Sequence, residues 1–189
     1  MPTTAGQRPM RADARRNYER LLAEAKSAFL EHGADASLED IARRACVGIG
    51  TLYRHFPTRL ALQEAVYREE LQGLAAKAYE LADDRPAGEG LTAWMLAVAE
   101  YSRTKRGLTQ TLKAVIDLHS DHFARCHDEI NAAAETVLAR AKEAGTVRSD
   151  VTVSDLLRLT HAVSVASERA PEDTERLLNF VLDGLHSRT

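Results

Sequence analysis

Apolar residues recur with the period of an α-helix along nearly the whole chain. Tyr18, Leu21, Leu22, Ala25, Ala28 and Phe29 fall three and four apart, predicting a first helix over about 11–32 that Gly33 stops. Ser37 opens a short second helix with Leu38, Ile41, Ala42 and Ala45 on its buried face, and Asp40 gives capping-box spacing with a shorter acid. A third segment, 49–55, puts Leu52 and Phe56 four apart on one side. Thr58 is a good N-cap for a long helix to about residue 82, with Leu62, Val66 and Leu74 among its apolar positions. The run DDRPAGEG at 83–90 reads as a loop. Further helices are expected over 91–104, 108–118, 121–144 and 154–170, with Ser154 as the cap of the last. A final helix opens at Pro171 and carries a strong stripe of Leu177, Leu178, Val181, Leu182 and Leu185. The fold class is therefore all-α, with about nine helices.

Composition supports this and removes alternatives. The chain has 189 residues, 28% of them charged and only 5% aromatic, with 5 prolines. A chain of that length buries a core of its own without disulfides or a metal. Its longest apolar run, 93–99, is far short of the roughly 20 residues needed to cross a bilayer. The first residues, MPTTAGQRPMRADARR, contain no apolar signal core. Cys46 and Cys126 are far apart, so both are expected to be reduced, in a cytoplasmic protein with no membrane partner. The net charge of −3 hides an asymmetry: residues 1–59 hold 10 Lys and Arg against 7 Asp and Glu, while residues 60–189 hold 15 against 21. A basic head on an acidic body suits a protein that offers one end to a polyanion.

Two short helices joined by a tight turn, 37–45 and 49–55, have the layout of a helix-turn-helix. The second must pack through Leu52 and expose non-apolar residues to a DNA major groove about 12 Å wide. Gly48 and Gly50 remove bulk from its leading end, allowing close approach to a phosphate or base edge.

The run SLEDIARRACVGIGTLYRHFPTRLAL, 37–62, and above all GTLYRHFPTR, 50–59, closely resembles the DNA-binding signature of the tetracycline-repressor (TetR) family of bacterial regulators. Residues 1–9, with two prolines, a glycine and no periodicity, read as a flexible arm, and the resemblance implies a DNA-binding domain at 10–57 with its motif at 37–56 and a ligand-binding and dimerisation domain at 58–189. It implies that Ser37 touches a phosphate and that Gly48, Ile49, Gly50 and Thr51 lead the recognition helix, the last three reading bases. Tyr53 and His55 are implied to bond the DNA backbone, Arg54 to reach base or backbone, and Arg59 to contact a phosphate. The sequence departs from the family pattern at Cys46, where Gly is usual in the turn, at Gly48, where Ser often caps, and at Leu60, where an acid is common.

The expected partners are a palindromic double-stranded operator, a second copy of the chain and a small-molecule effector that releases DNA. Leu178, Val181, Leu182 and Leu185 are expected at the dimer interface. Trp94, Met95, Tyr101, His119, Phe123, Cys126 and His161 are candidates to line an effector pocket, although each taken singly also suits a core or junction position. His119, His122 and Cys126 follow i, i+3, i+7 and resemble zinc ligands, but Ser120–Asp121 looks like a helix start that would spoil that geometry. No metal or cofactor is therefore expected. No catalytic triad order, phosphate-binding loop, dinucleotide fingerprint or paired carboxylates stand out, so no catalysis is expected. Two alternatives stay open: a DNA-binding regulator that senses metal or redox state, and a helical binding module or enzyme with a vestigial head.

Overall fold

The computed structural model describes the backbone of residues 7–115 and 121–186, and the side chains of 12–33, 35–102 and 127–186. Among these residues there are eight α-helices, two short 3₁₀ turns and no strand. The helices are α1 (Gln7–His32), α2 (Leu38–Arg44), α3 (Ile49–His55), α4 (Arg59–Asp84), α5 (Ala87–Val115), α6 (Asp121–Glu143), α7 (Val153–Ala166) and α8 (Thr174–Leu185). None is long and apolar enough to cross a membrane.

Local side-chain chemistry sets most of the boundaries. Gly33 and Gly145 take positive φ of 62° and 69° after α1 and α6, a conformation that costs glycine little. The backbone N–H of Asp40 donates to Ser37 Oγ at 3.2 Å, and that of Ala61 to Thr58 Oγ1 at 3.0 Å, capping α2 and α4 as the sequence predicts.

Four boundaries differ from the sequence expectation. α1 is helical already at Gln7, where the described backbone begins, rather than from near Arg11. The loop expected at 83–90 shrinks to Arg85 and Pro86, and Gly90 lies inside α5. A Cβ at Gly90 would stand 2.8 Å from the Leu81 carbonyl oxygen, so this glycine lets α4 and α5 cross closely. α5 also runs unbroken to Val115, because one internal glycine, Gly107, costs a helix only about 1 kcal/mol. That merger gives eight helices in place of nine. Finally, Thr152 rather than Ser154 caps α7, since only Thr152 has an acid three residues on. Its hydroxyl accepts from the Asp155 N–H at 3.2 Å while the Asp155 carboxylate accepts from the Thr152 N–H at 3.0 Å.

The chain divides into two compact units, one drawn from Met1–Tyr67 and Gly107–Ile116, the other from Arg68–Arg106 and Asp117–Thr189. The core of the first includes Leu21, Phe29, Ile41, Leu52, Phe56, Leu62 and Val66. The core of the second includes Leu91, Trp94, Met95, Ile130, Leu138, Leu156 and Leu178. There the Trp94 indole N–H donates to the Leu74 carbonyl at 3.1 Å, satisfying the one polar atom of a wholly buried side chain.

Candidate nucleic-acid interface

The turn between α2 and α3 is built on Cys46, which holds a left-handed backbone at φ 56°. Its N–H donates to the Arg43 carbonyl and that of Val47 to the Ala42 carbonyl, each at 3.0 Å, closing the end of α2. The side chain is exposed, so packing does not compensate for the steric cost of that conformation, about 1 kcal/mol.

Two anchors seat α3. Leu52 is 0% exposed and Phe56, its C-cap, 3%. The Phe56 ring meets Tyr18 of α1 at 5.1 Å between centroids, and the His55 ring meets Tyr18 edge-on at 6.0 Å. With those anchors inward, Ile49, Gly50, Tyr53 and Arg54 are exposed and Thr51 is half-exposed. Nothing lies within 4 Å of a Cβ added at Gly48 or Gly50. Exposed Ile49 and Tyr53, at 38% and 45%, are large apolar groups on a short helix that lacks protein cover.

Electrostatics fix α2 against α1. Asp40 binds Arg43 one turn on and Arg44 at 2.7 Å, and Arg44 reaches back to Glu31 of α1 at 2.9 Å. The Arg43 hydrogen bond, with help from Arg44, holds the Asp40 carboxyl below the usual carboxylate range. Ser37 is exposed, and its hydroxyl donates to Glu39 at 3.1 Å while capping α2. Arg59 is half-buried and donates from Nη1 to the Ala36 carbonyl at 2.5 Å. It therefore ties the start of α4 to the residue before Ser37, a structural task the sequence did not disclose. The nine expected DNA residues thus lie on α3 or at the entries to α2, α3 and α4.

Two models cover this architecture. The family described as "Bacterial regulatory proteins, tetR family" matches residues 21–66, and "Transcriptional regulator SbtR-like, C-terminal domain" matches 86–187. The crystal structure of the TetR transcriptional regulator SCO0520 from Streptomyces coelicolor is 38% identical, with a TM-score of 0.80 over 91% of this chain and 99% of that one. The chain belongs to the TetR family of transcriptional regulators. A TetR regulatory protein from Mycobacterium vanbaalenii is similar at 33% identity and a TM-score of 0.78, over 95% and 100% of the two chains. The HTH-type transcriptional regulator SAR0097 of Staphylococcus aureus (strain MRSA252) is 41% identical over 63 residues, which span 32% of either chain.

The TetR body carries the other two sets of expected residues. Leu178 and Leu182 are 0% and 8% exposed in the single chain, and Val181 and Leu185 are half-buried. Leu178 and Leu182 face their own protomer's core and keep little surface to bury against a partner, whereas Val181 and Leu185 remain partly exposed. A helical stripe reads the same in sequence whichever core it faces. The exposed apolar residues of α7 and α8 are instead Leu159, Val165 and Phe180, the last 60% exposed. An aromatic on the polar side of α8 was the available signal.

The expected pocket residues differ in burial. Trp94 and Met95 are 1% and 0% exposed, Tyr101 is buried, and His161 is exposed on α7. His119, and the side chains of His122, Phe123 and Cys126, lie outside the described residues. Among the described residues no group of three His, Cys, Asp or Glu is placed to hold a metal. A cleft of about 480 Å³ opens elsewhere in the second unit, with Arg85, Glu89, Thr92, Leu96, Glu175 and His186 on its walls.

Proposed function

We propose that this TetR protein is a repressor that binds a palindromic operator as a homodimer and leaves it when a small molecule binds the second unit. The observation that carries the reading is α3: anchored by Leu52 and Phe56, it turns Ile49, Gly50, Thr51, Tyr53 and Arg54 outward. Phosphate contacts supply most of the affinity and the leading residues of α3 the specificity. Ser37, Tyr53, His55 and Arg59 are proposed phosphate contacts, Gly48 the gap admitting the backbone, and Arg54 a contact to base or backbone.

One seven-residue helix reads few base pairs, so a two-fold assembly on an inverted repeat is required for selectivity. Leu159, Val165 and Phe180 are the proposed contact residues, being exposed apolar groups on neighbouring helices. The effector site is proposed at the cleft beside Arg85 and Glu175, whose volume falls in the range of small-molecule sites. α4 contributes Arg59–Tyr67 to one unit and Arg68–Asp84 to the other, and is the proposed carrier of the coupling. The protein acts by binding rather than catalysis, in the cytoplasm.

The test is selection of DNA from a random duplex pool by the purified chain, followed by sequencing. An enriched inverted repeat, bound less tightly as salt rises, is the expected result. Absence of any enrichment would reject the reading in favour of a binding module with a vestigial head.

A further inference from the structure

The basic charge of the head does not sit on its helix-turn-helix. Residues 7–20 hold Arg8, Arg11, Arg15, Arg16 and Arg20 against Asp13 and Glu19, while residues 21–59 hold five charges of each sign. The whole excess of +3 therefore belongs to the first half of α1. Within the motif, Arg43 and Arg44 are engaged by Asp40 and Glu31, and Arg59 bonds Ala36.

The described side chains of that half add little to the core. Every residue from Ala12 to Arg16 is exposed, Asn17 and Tyr18 are half-buried, and the first fully buried side chain is Leu21. Exposed turns gain no stability from burial, so they persist only as an extension of the buried part of α1. Its departure point is informative. Tyr18 packs on His55 and Phe56 at the C-terminal end of α3, so the turns before it leave the head beside the recognition helix. From Gln7 to Asn17 they run about 16 Å. Arg15 and Arg16 are 82% and 65% exposed, each on one carboxylate of the same helix. Such exposed pairs hold weakly, so a phosphate can replace the carboxylate.

We infer that the first three turns of α1 are a second DNA-binding element, in which Arg8, Arg11, Arg15 and Arg16 neutralise backbone phosphates of the duplex flanking each half-site. The inference rests on the DNA-binding reading above and adds a separate contact to it. The element carries no base-reading geometry, so it raises affinity and salt sensitivity without changing which sequence is preferred.

The test compares the full chain with a variant carrying Arg8→Gln, Arg11→Gln, Arg15→Gln and Arg16→Gln, and with one carrying Lys at the same four positions. Each is titrated with the duplex recovered by selection, first with about one helical turn of flanking DNA on each side, then trimmed to the half-sites. On the long duplex the Gln variant should bind more weakly, and its plot of log affinity against log salt should be shallower by about 2–4 per chain. Its melting temperature and its ranking of operator variants should match the parent. The Lys variant should keep the parent's slope, and trimming should bring the parent down to the level of the Gln variant. Equal slopes for parent and Gln variant, with operator binding intact, would overturn the inference while leaving the proposed function standing. A Lys variant as weak as the Gln variant would also overturn it, by showing that helix rather than charge was lost. If the parent binds no duplex at all, both readings fall together.

Discussion

Arg59 Nη1 donates to the carbonyl oxygen of Ala36 at 2.5 Å, joining the first turn of α4 to the corner that leads into α2. One side chain thus fixes the spacing between two capped helix starts, at Ser37 and Thr58. The guanidinium has five N–H donors in a planar fork, so a bond to Ala36 is compatible with a phosphate contact as well. Arg59→Ala should therefore have two effects. It should destabilise the fold by about 1–2 kcal/mol, because a half-buried carbonyl loses a charged donor. It should also lower the salt slope of DNA binding by about one. Thermal denaturation and salt titration read these separately; a lowered melting temperature with an unchanged slope would make Arg59 purely structural.

Cys46→Gly should stabilise the protein. At φ 56° a side chain meets a steric cost that glycine avoids, and the exposed thiol has no core contact to lose. Glycine also gains freedom in the unfolded chain, which offsets part of the benefit. The expected net gain is about 0.5–1 kcal/mol in chemical denaturation. A destabilised variant would mean that the thiol, 3.7 Å from the Arg44 carbonyl, makes a contact that matters.

What the sequence disclosed and what it hid divide along a physical line. Ser37, Thr58, Gly33 and Gly145 mark their boundaries because a cap or a left-handed residue acts through its own neighbours. DDRPAGEG misled because glycine and proline serve a loop and a close helix crossing equally well. Gly90 is needed for its clearance from Leu81, a tertiary fact. The stripe on α8 was legible as a stripe, but periodicity does not name the surface that covers it. Likewise α3 was found through its pattern, whereas the Arg59 to Ala36 bond spans 23 residues and leaves no local trace.

Asp40 should give the head an acid-sensitive component. Its carboxyl is held low, first by the Arg43 hydrogen bond, so the ionised form is favoured in the folded state. A depressed folded value means that this contribution is complete above the ordinary carboxylate range, near about pH 4, and is lost as pH falls through the lowered value. Asp40→Asn should melt below the parent at neutral pH, and the gap should narrow as pH falls below the ordinary carboxylate range. A gap independent of pH would show that shape rather than charge matters there.

The two faces of α8 should respond differently to charge. Leu182→Glu places a carboxylate inside the protomer core and should unfold the chain or cost about 3–5 kcal/mol. Phe180→Glu alters an exposed residue and should leave the protomer folded while sedimentation shifts from dimer to monomer. A Phe180→Glu variant that remains dimeric would remove α8 from the proposed contact.

Gly90→Ala should be destabilising by about 1–3 kcal/mol, since the methyl would meet the Leu81 carbonyl and both helices would have to shift. Gly73→Ala, in open space on α4, is the matched control and should be neutral or stabilising. Equal melting temperatures for the two variants would refute the close crossing.

If α3 reads bases, the base-preference profile of Thr51→Ala must record it. Parent and variant are titrated against the selected operator and a set of its single-base variants at fixed salt. A base contact by Thr51 predicts a change of about 1–3 kcal/mol in relative preference at one symmetric pair of positions, with the rest of the profile preserved. A uniform loss of affinity across all variants, or no change at any position, would contradict the claim.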